Sequence, residues 1–516
     1  MSFNQSFYFW VFIVAVFIML TLAFFPLERA WRCLQYPYGL DYAEGYLAVE
    51  AWQLAQGVSM YPNHDNYPYL VGNYPPIYPF VNALMFSVFK PSLFWGRLIC
   101  AITALGIIIL MFCAVYKKHS LLLPSLLAPL LLINTYEFYE WIGYARVDLP
   151  SIFFSLAGLF VLLDKKGETN KRRMTFAAVL FLFSIYTKQI QIFAPIAACL
   201  YLIIQNRKIG LKFSGALWGG VLLVFALLAV ITRGEYFKHT VIYNANRFDW
   251  WQVYVWFRHV LRFYFFYMAT LFILAASITY ESIKNKKKGG APDLFNLYAL
   301  IGALSFLTIG KIGAAGNYIL ETHAAFGIFF GSALSKAIEG FRTGIKQRLS
   351  IALILIAALF INLHSLWLFR IQRILFSRPN PGKTAYAKSE MLMKIVSEHP
   401  NPILCEQPIF LLLAKKNVIF QPFIMSELAR EGKWDQSQFV NDLENQKFSL
   451  IITGQNMLQE GFLWQYTDEM RAAIRANYME YVESGDSLQQ ASWNAFMRSG
   501  IDGIPYYIYI PKKETR

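Results

Sequence analysis

Long apolar runs recur along the chain, and short polar connections separate them. A helical run of about 20 apolar residues is long enough to cross a hydrocarbon core of about 30 Å. After a first run over residues 7–25, the later runs cover approximately residues 93–116, 120–134, 148–164, 174–187, 190–204, 213–231, 255–279, 293–310, 322–338 and 349–369. This pattern predicts a polytopic α-helical membrane protein.

One polar stretch, residues 38–79, interrupts the apolar pattern. It is rich in Tyr, Pro and Asn, and it contains the carboxylates Asp41, Glu44 and Glu50. The apolar run 77–89 at its end is shorter than a membrane-spanning helix, so hydropathy alone does not decide whether that run crosses the membrane. The placement of basic residues decides it.

The basic residues lie in short clusters between the apolar runs, at 117–118, 165–173, 207–212, 284–288 and 342–348. If residues 77–89 do not cross and the N-terminus is cytoplasmic, every cluster falls on the cytoplasmic side, as the positive-inside rule requires. We therefore predict about eleven spans and an external loop, residues 26–92, that carries juxtamembrane helices. The other segments predicted to be external are 135–147, 187–189, 232–254, 311–321 and everything after about residue 370.

The tail from about residue 371 has a different pattern, because strand-length apolar runs alternate with helical patterns there. The predicted strands are 403–405, 418–420, 448–453 and 506–510, and the predicted helices are 410–415, 425–431, 436–445 and 467–478. We predict a small extracytoplasmic α/β domain over 371–516, following a transmembrane catalytic domain over 1–370. No Gly-rich phosphate-binding fingerprint follows any predicted strand, so nucleotide binding is not expected.

Composition agrees with a membrane protein. The 516 residues are 56% apolar and 15% charged, against about 25% charged in soluble domains. The net charge of +15 comes from clusters that set topology, so we expect no nucleic-acid partner. The five cysteines show neither disulfide nor metal spacing.

Two carboxylates in the polar stretch are candidates for catalysis. Asp41 and Glu44 are three residues apart, so on a helical turn both point the same way. One could act as general base on a hydroxyl acceptor while the other orients it. The alternative is a helix cap, in which Asp41 is the N-cap and Glu44 completes a capping box.

Four cations on the predicted external side could hold a phosphate. They are Arg97, Arg146, Lys188 and Lys311. Arginine offers a fork for phosphate oxygens and lysine a point charge, and together they would stabilise a departing phosphate. The alternatives are a local ion pair between Arg146 and Asp148 and snorkelling of the lysines to the interface. His64 with Asp65, and Glu321 with His323, lack further metal ligands at a recognisable spacing, so no metal is assigned.

These segments resemble a known family. The motifs are Asp41 with Glu44-Gly45, Gly57 to Tyr61, Tyr74 to Tyr78, Ala145 to Asp148, Gly316 to Glu321 and, in the tail, Pro422 to Trp434. Together they resemble the GT-C superfamily of integral-membrane glycosyltransferases, in particular the bacterial dolichyl-phosphate-mannose-protein mannosyltransferase-like and aminoarabinose-transferase-like group.

The resemblance implies an inverting enzyme of the inner (plasma) membrane. It would move a sugar from a polyprenyl-phosphate donor to a hydroxyl acceptor (glycan, lipid or protein) at the outer face, without a cofactor. The family's catalytic carboxylate would be Glu44 or Asp41, with Glu44 preferred; the acidic residues that are adjacent in many members are here separated. Residues in the matching segments are assigned to substrate binding, namely Asp148, Tyr74, Tyr78, Asn317, Glu321 and His323.

A transporter or flippase of a lipid-linked or anionic solute is the alternative. Transporters show repeated halves and polar groups near the midplane of the membrane. This sequence shows no visible repeat, and its candidate residues lie on one predicted side. The pattern therefore favours the enzyme.

Overall fold

Helices make up most of the structure, a computed structural model that describes residues 10, 13–14, 17–163, 170–262, 293–339, 381–459, 465–481, 496–498 and 505–512. Each predicted span within these ranges is helical along most of its length. The longer helices of the first 339 residues are Phe24–Gln35, Tyr42–Ala55, Ile77–Val88, Leu93–His119, Leu122–Ile133, Tyr136–Trp141, Asp148–Leu162, Lys171–Thr187, Phe193–Gln205, Arg207–Ile231, Leu294–Ala303 and Leu320–Glu339.

Two of these helices, Leu93–His119 and Arg207–Ile231, are long and apolar enough to cross a membrane by length and composition. Several shorter apolar helices accompany them, including Leu122–Ile133 and Asp148–Leu162. Part of the predicted span 255–279 and all of 349–369 lie outside the described residues, so the number of eleven spans stays a prediction.

The segment 77–89, which we predict not to cross, forms the helix Ile77–Val88 of 12 residues. At about 1.5 Å per residue this helix is shorter than the hydrocarbon core of about 30 Å. It packs against the helix Tyr42–Ala55 in the polar stretch. We call Tyr42–Ala55 the loop helix.

The loop helix begins at Asp41 because that residue caps it. The Asp41 side chain accepts a hydrogen bond from the backbone N–H of Ala43, and the Glu44 side chain accepts one from the backbone N–H of Asp41. This is a reciprocal capping box, which satisfies N–H groups that have no partner inside the helix. The cap fixes the backbone at both candidate catalytic carboxylates.

The tail contains a four-stranded sheet in the order β1-β2-β4-β3. The strands are β1 Ile403–Cys405, β2 Leu450–Thr453, β3 Tyr478–Glu480 and β4 Tyr507–Pro511. β1 and β2 are parallel, and β4 is antiparallel to both β2 and β3. The helices of the tail are Lys383–Glu398, Ile409–Leu413, Pro422–Arg430, Ser437–Glu444 and Asp468–Asn477.

One sequence-based prediction for the tail is wrong, and one strand of the tail was not predicted. Residues 418–420 do not join the sheet; instead Phe420 forms an isolated bridge with Tyr69 of the polar stretch. Conversely, β3 at Tyr478–Glu480 was not predicted, because Tyr478 also fits the apolar pattern of the preceding helix. A short apolar run does not reveal its pairing partner.

The polar stretch and the tail share a hydrophobic core. Tyr69 and Val71 are buried together with Phe420, Trp434 and Phe439 of the tail. The backbone N–H of Tyr69 donates to Ile419 O at 2.8 Å, and that of Gln421 donates to Tyr69 O at 3.0 Å. The tail is therefore packed directly onto the stretch that carries the candidate carboxylates.

Candidate active site

Glu44 is fully buried and both of its carboxylate oxygens are occupied. Arg97 contacts it twice, with Nε on Oε1 at 2.9 Å and Nη2 on Oε2 at 2.9 Å. Backbone N–H groups donate to the same carboxylate from Ala145 at 2.6 Å, Leu40 at 2.9 Å and Asp41 at 3.2 Å. Burial alone would raise the pKa of Glu44, but the charge of Arg97 and these hydrogen bonds hold it below its usual value.

Arg97 has no donor left for a phosphate. Its remaining N–H groups donate to three backbone carbonyls, Nη1 to those of Cys33 and Tyr36 and Nη2 to that of Tyr38. A guanidinium has five donors, and all five are used in this arrangement. The predicted phosphate contact is therefore not available to Arg97, whose contacts make it an anchor for Glu44 and for the chain at 33–38.

Asp41 lies in a more open environment. Arg146 Nη1 donates to Asp41 Oδ2 at 2.8 Å, and the Asp41 side chain is 21% exposed, against 0% for Glu44. Arg146 Nη2 donates to the Tyr74 hydroxyl at 3.2 Å. Burial raises the pKa of that hydroxyl to about 12, so it stays protonated near neutral pH.

A second buried group continues from Arg146. Arg146 Nε lies 3.6 Å from Asp148 Oδ2, and Lys188 Nζ lies 2.5 Å from Asp148 Oδ1. The Asn317 side chain donates to the same Oδ1 at 2.8 Å. The predicted site residues from four separate parts of the sequence thus form one connected chain, from Asp41 to Asn317.

A small cavity opens beside this chain. Its walls include Asp148, Lys188, Asn317, Gln191 and Glu321. The Lys188 ammonium also lies 4.2 Å from the ring centroid of Tyr318, another wall residue, close enough for a cation–π contact. The cavity is lined by opposite charges and amides, as expected of a site for a polar ligand.

Lys311 approaches the same region from a different loop. Its ammonium donates to Asn244 Oδ1, and the Asn244 amide donates to the carbonyl of Asn73 in the polar stretch. Burial and the nearby charge of Lys188 lower the pKa of Lys311 to about 8. Such a lysine carries its charge at neutral pH but loses it in mildly alkaline solution.

Known proteins resemble this chain in sequence over one segment and in fold over nearly its whole length. Residues 73–232 match the family described as dolichyl-phosphate-mannose-protein mannosyltransferase. The structure of ArnT from Cupriavidus metallidurans bound to undecaprenyl phosphate is similar, with a TM-score of 0.55, 14% identity, and coverage of 97% of this chain and 98% of that one. ArnT from the same organism in the apo state gives a TM-score of 0.53, 13% identity, and coverage of 96% and 97%. No curated protein sequence matches significantly.

The chain adopts a fold similar to that of ArnT. The resemblance read from the sequence motifs is confirmed, as is the prediction of a polytopic helical membrane protein with a small sheet in its tail. The segment 73–232 that matches the family model contains Arg146, Asp148 and Lys188. Two cations of the candidate site, Arg146 and Lys188, therefore lie in the part of the chain that matches the family, whereas Lys311 lies outside it.

Two residues that were predicted to bind substrate lie away from the chain of contacts. The Tyr78 hydroxyl lies 3.8 Å from Cys100 Sγ, in the buried interior. His323 Nε2 lies 3.3 Å from Glu137 Oε2, and neither residue is in the cavity wall. Glu321, two residues before His323, does line the cavity.

Some site residues were not predicted from the sequence. Gln191 and Tyr318 line the cavity, and Glu50 is buried on the loop helix with Oε2 unpaired among the described residues. Burial raises the pKa of Glu50 well above its usual value, against the opposing effect of Arg146. Proximity in sequence to Lys188 and Asn317 was the available signal for Gln191 and Tyr318.

In the ranges that the structure covers, no group of three or more His, Cys, Asp or Glu side chains is arranged to hold a metal ion. His64 is instead stacked on Tyr243, with ring centroids 4.8 Å apart, and its Nε2 contacts the carbonyl oxygen of Leu70 at 2.7 Å. Burial lowers the pKa of His64. These contacts give His64 a structural role in the loop.

Proposed function

We propose that the protein is an inverting glycosyltransferase that moves a sugar from a polyprenyl-phosphate donor to a hydroxyl acceptor, with its site on the outer face of the membrane. The observation that carries the proposal is the continuous chain Asp41, Arg146, Asp148 and Lys188, which combines a partly exposed carboxylate with two cations. The GT-C fold supports it, since ArnT, a protein of this fold, has been captured with undecaprenyl phosphate bound.

In the proposed reaction, Asp41 removes the proton from the acceptor hydroxyl. The acceptor oxygen forms a bond to the anomeric carbon while the bond from that carbon to the donor's phosphate oxygen breaks. The polyprenyl phosphate leaves with the electron pair, and the sugar ends with inverted configuration because attack and departure occur on opposite faces. A positioned general base contributes a factor of about 10² to 10⁴ in rate.

Asp41 suits the role of base better than Glu44, which the sequence alone favoured. The Glu44 carboxylate is fully buried and already accepts five hydrogen bonds, two of them from Arg97. Asp41 Oδ2 accepts from Arg146 and Ala43, which leaves acceptor capacity on Oδ1. We assign Glu44 to positioning, because it holds the N–H groups of both Asp41 and Ala145.

The proposed phosphate-binding groups are Arg146, Lys188 and Lys311. Lys188 lines the cavity, Arg146 contacts Asp148 in its wall, and Lys311 is close enough to Lys188 for their charges to interact. Cations in a buried site stabilise developing negative charge more strongly than they would in water. Asp148 would hold Lys188 and Arg146 in place through its two oxygens. Tyr74, Asn317 and Glu321 remain proposed substrate contacts.

The proposal is tested by transfer assays in membranes that contain the full-length protein. Radiolabelled hexosyl- and pentosyl-phosphate polyprenols are supplied with cell-envelope acceptors, and label that leaves the polyprenyl fraction is measured. We expect transfer by the wild-type protein and loss of transfer in Asp41→Asn. Movement of an intact donor across vesicles without loss of label, equally fast in Asp41→Asn, would instead establish the transporter.

A further inference from the structure

The segment that follows the carboxyl end of the parallel strand β1 packs against the loop helix. In α/β domains, ligands bind at this edge of the sheet. Residues 406–409 follow β1 at this edge, and three of them, Gln407, Pro408 and Ile409, lie against Gly39 and Gly45 on either side of Asp41. In this protein a segment of the same chain therefore occupies part of the edge where a ligand would bind.

The contact is close because glycines lie on both sides of Asp41. A Cβ atom at Gly45 would lie 2.9 Å from Pro408 Cδ and 3.2 Å from the backbone nitrogen of Ile409. A Cβ atom at Gly39 would lie 2.4 Å from Gln407 Oε1. Real Cβ atoms do not approach so closely. The Pro408 ring and the Ile409 backbone therefore require glycine at position 45, whereas the flexible Gln407 side chain could move away from a Cβ at position 39.

Polar contacts join the loop helix to the same face of the tail. The Tyr42 hydroxyl accepts a hydrogen bond from the backbone N–H of Phe423 at 3.1 Å, and the Tyr46 hydroxyl donates to the carbonyl of Phe420 at 3.5 Å. Before Asp41, the Tyr38 ring stacks on Phe410, with ring centroids 5.1 Å apart. The tail thus contacts the chain before and after the proposed base.

Glu44 also holds the chain at Asp41. Its carboxylate accepts from the N–H groups of Leu40 and Asp41 and is itself fixed by Arg97. The backbone at Asp41 is therefore held between two rigid supports, the Glu44–Arg97 pair and the tail residues 406–409. Movement of one support would move the carboxylate relative to Arg146.

We propose that residues 406–409 of the tail are a positioning element that sets the Asp41 carboxylate for catalysis. The proposal rests on the proposed function, in which Asp41 is the base. It gives the tail a part in the chemical step, although residues 406–409 touch no substrate. A displacement of about 1 Å at a reacting group can cost about 10²-fold in rate.

The main test is Gly45→Ala in the full-length protein. The added methyl group meets a proline ring and a backbone atom, neither of which can rotate away, so the two supports must separate. We expect kcat to fall about 10- to 100-fold, with KM for the donor changed by less than about twofold. Gly219→Ala is the matched control, because a Cβ there meets no atom within 4 Å.

Relief of the clash provides the readout that a merely structural role would not give. Pro408→Ala removes the ring atoms nearest to Gly45, so Gly45→Ala combined with Pro408→Ala should recover most of the lost kcat. Gly39→Ala should have a smaller effect, because the flexible Gln407 side chain can move, and Gln407→Ala should restore it fully. If Gly45→Ala does not fold, the Gly39 and Gln407 pair answers the same question.

Hydrogen exchange separates this proposal from the proposed function. Amide exchange over residues 36–46 should rise in Gly45→Ala and fall again in the double variant, whether or not any transfer is detected. Absence of transfer in the wild-type protein would contradict the function alone. Wild-type kcat in Gly45→Ala and Gly39→Ala, or losses that neither relieving substitution restores, would overturn the positioning role.

Discussion

The polar stretch contains two carboxylates, Glu44 and Asp41, that lie three residues apart and each pair with an arginine. The two pairs differ in burial and in how many hydrogen bonds the carboxylate accepts. The Glu44–Arg97 pair is buried, bidentate and saturated by backbone donors. The Asp41–Arg146 pair has one direct contact, and its carboxylate is partly exposed. The comparison teaches that a buried ion pair with every group satisfied fixes structure, while a partly exposed pair with acceptor capacity left remains able to react.

We expect the largest effect when the Asp41–Arg146 pair, which we assign to the chemical step, is disrupted. Asp41→Asn keeps the size of the side chain and an acceptor for Ala43, but it removes the base. We expect kcat to fall about 10³-fold with little change in thermal stability. Transfer assays and thermal unfolding of the same preparation measure both quantities.

Glu44→Gln in parallel provides the comparison for this result. Near-normal turnover in Asp41→Asn, together with a stable but inactive Glu44→Gln protein, would reverse the assignment of base and anchor.

We expect the next largest effect when the Glu44–Arg97 pair, which anchors the loop, is disrupted. Glu44→Gln leaves Arg97 buried without a counter-charge, and disruption of a buried pair costs about 3 kcal/mol or more. We expect a lower free energy of unfolding, measured by denaturant titration in detergent, and a fall in kcat that follows from the displaced loop. A Glu44→Gln protein as stable as the wild type would show that the pair does not hold the loop.

The sequence revealed the fold better than the site. Apolar runs predicted the helices because burial in a membrane or a core imposes hydropathy on each segment separately. The capping box at Asp41 and Glu44 was also visible as an alternative, since its spacing is local. The distinction between the two carboxylates was not visible, because it depends on Arg97 and Arg146, which are distant in sequence.

The same dependence on residues that are distant in sequence explains why the pairing of residues 418–420 in the tail was not predicted. The strand pattern at 418–420 is real, but its partner Tyr69 lies about 350 residues earlier, and no local signal specifies such pairing. The close contacts of Gly39 and Gly45 with Gln407 and Pro408 are likewise invisible until the chain is folded.

A third prediction concerns Lys311, one of the proposed phosphate-binding cations. Burial and Lys188 lower the pKa of Lys311 to about 8, so its charge is present below pH 8 and is lost as the pH rises through that value. We expect KM for the polyprenyl-phosphate donor to rise about 10-fold between pH 7 and 9 in the wild-type protein.

Lys311→Arg sharpens this test, because arginine keeps its charge across the whole range. Its KM should stay constant between pH 7 and 9, and Lys311→Met should show the raised KM at every pH. The same alkaline rise in Lys311→Arg as in the wild type would assign the titration to another group.

We expect the smallest effect when Arg146 loses its hydrogen bond to the Tyr74 hydroxyl. Tyr74→Phe removes the hydroxyl that accepts from Arg146 Nη2, and loss of one such hydrogen bond costs about 1 kcal/mol. We expect KM for the donor to rise about fivefold, with kcat nearly unchanged, because Arg146 keeps its contact with Asp41. Tyr78→Phe is the matched control, since its hydroxyl lies against Cys100 in the interior and should leave KM unchanged. An equal rise in KM for both variants would mean that Tyr74 acts through general packing and not through its hydrogen bond to Arg146. The difference in function between Arg97 and Arg146 would then depend only on the contact of Arg146 with Asp41.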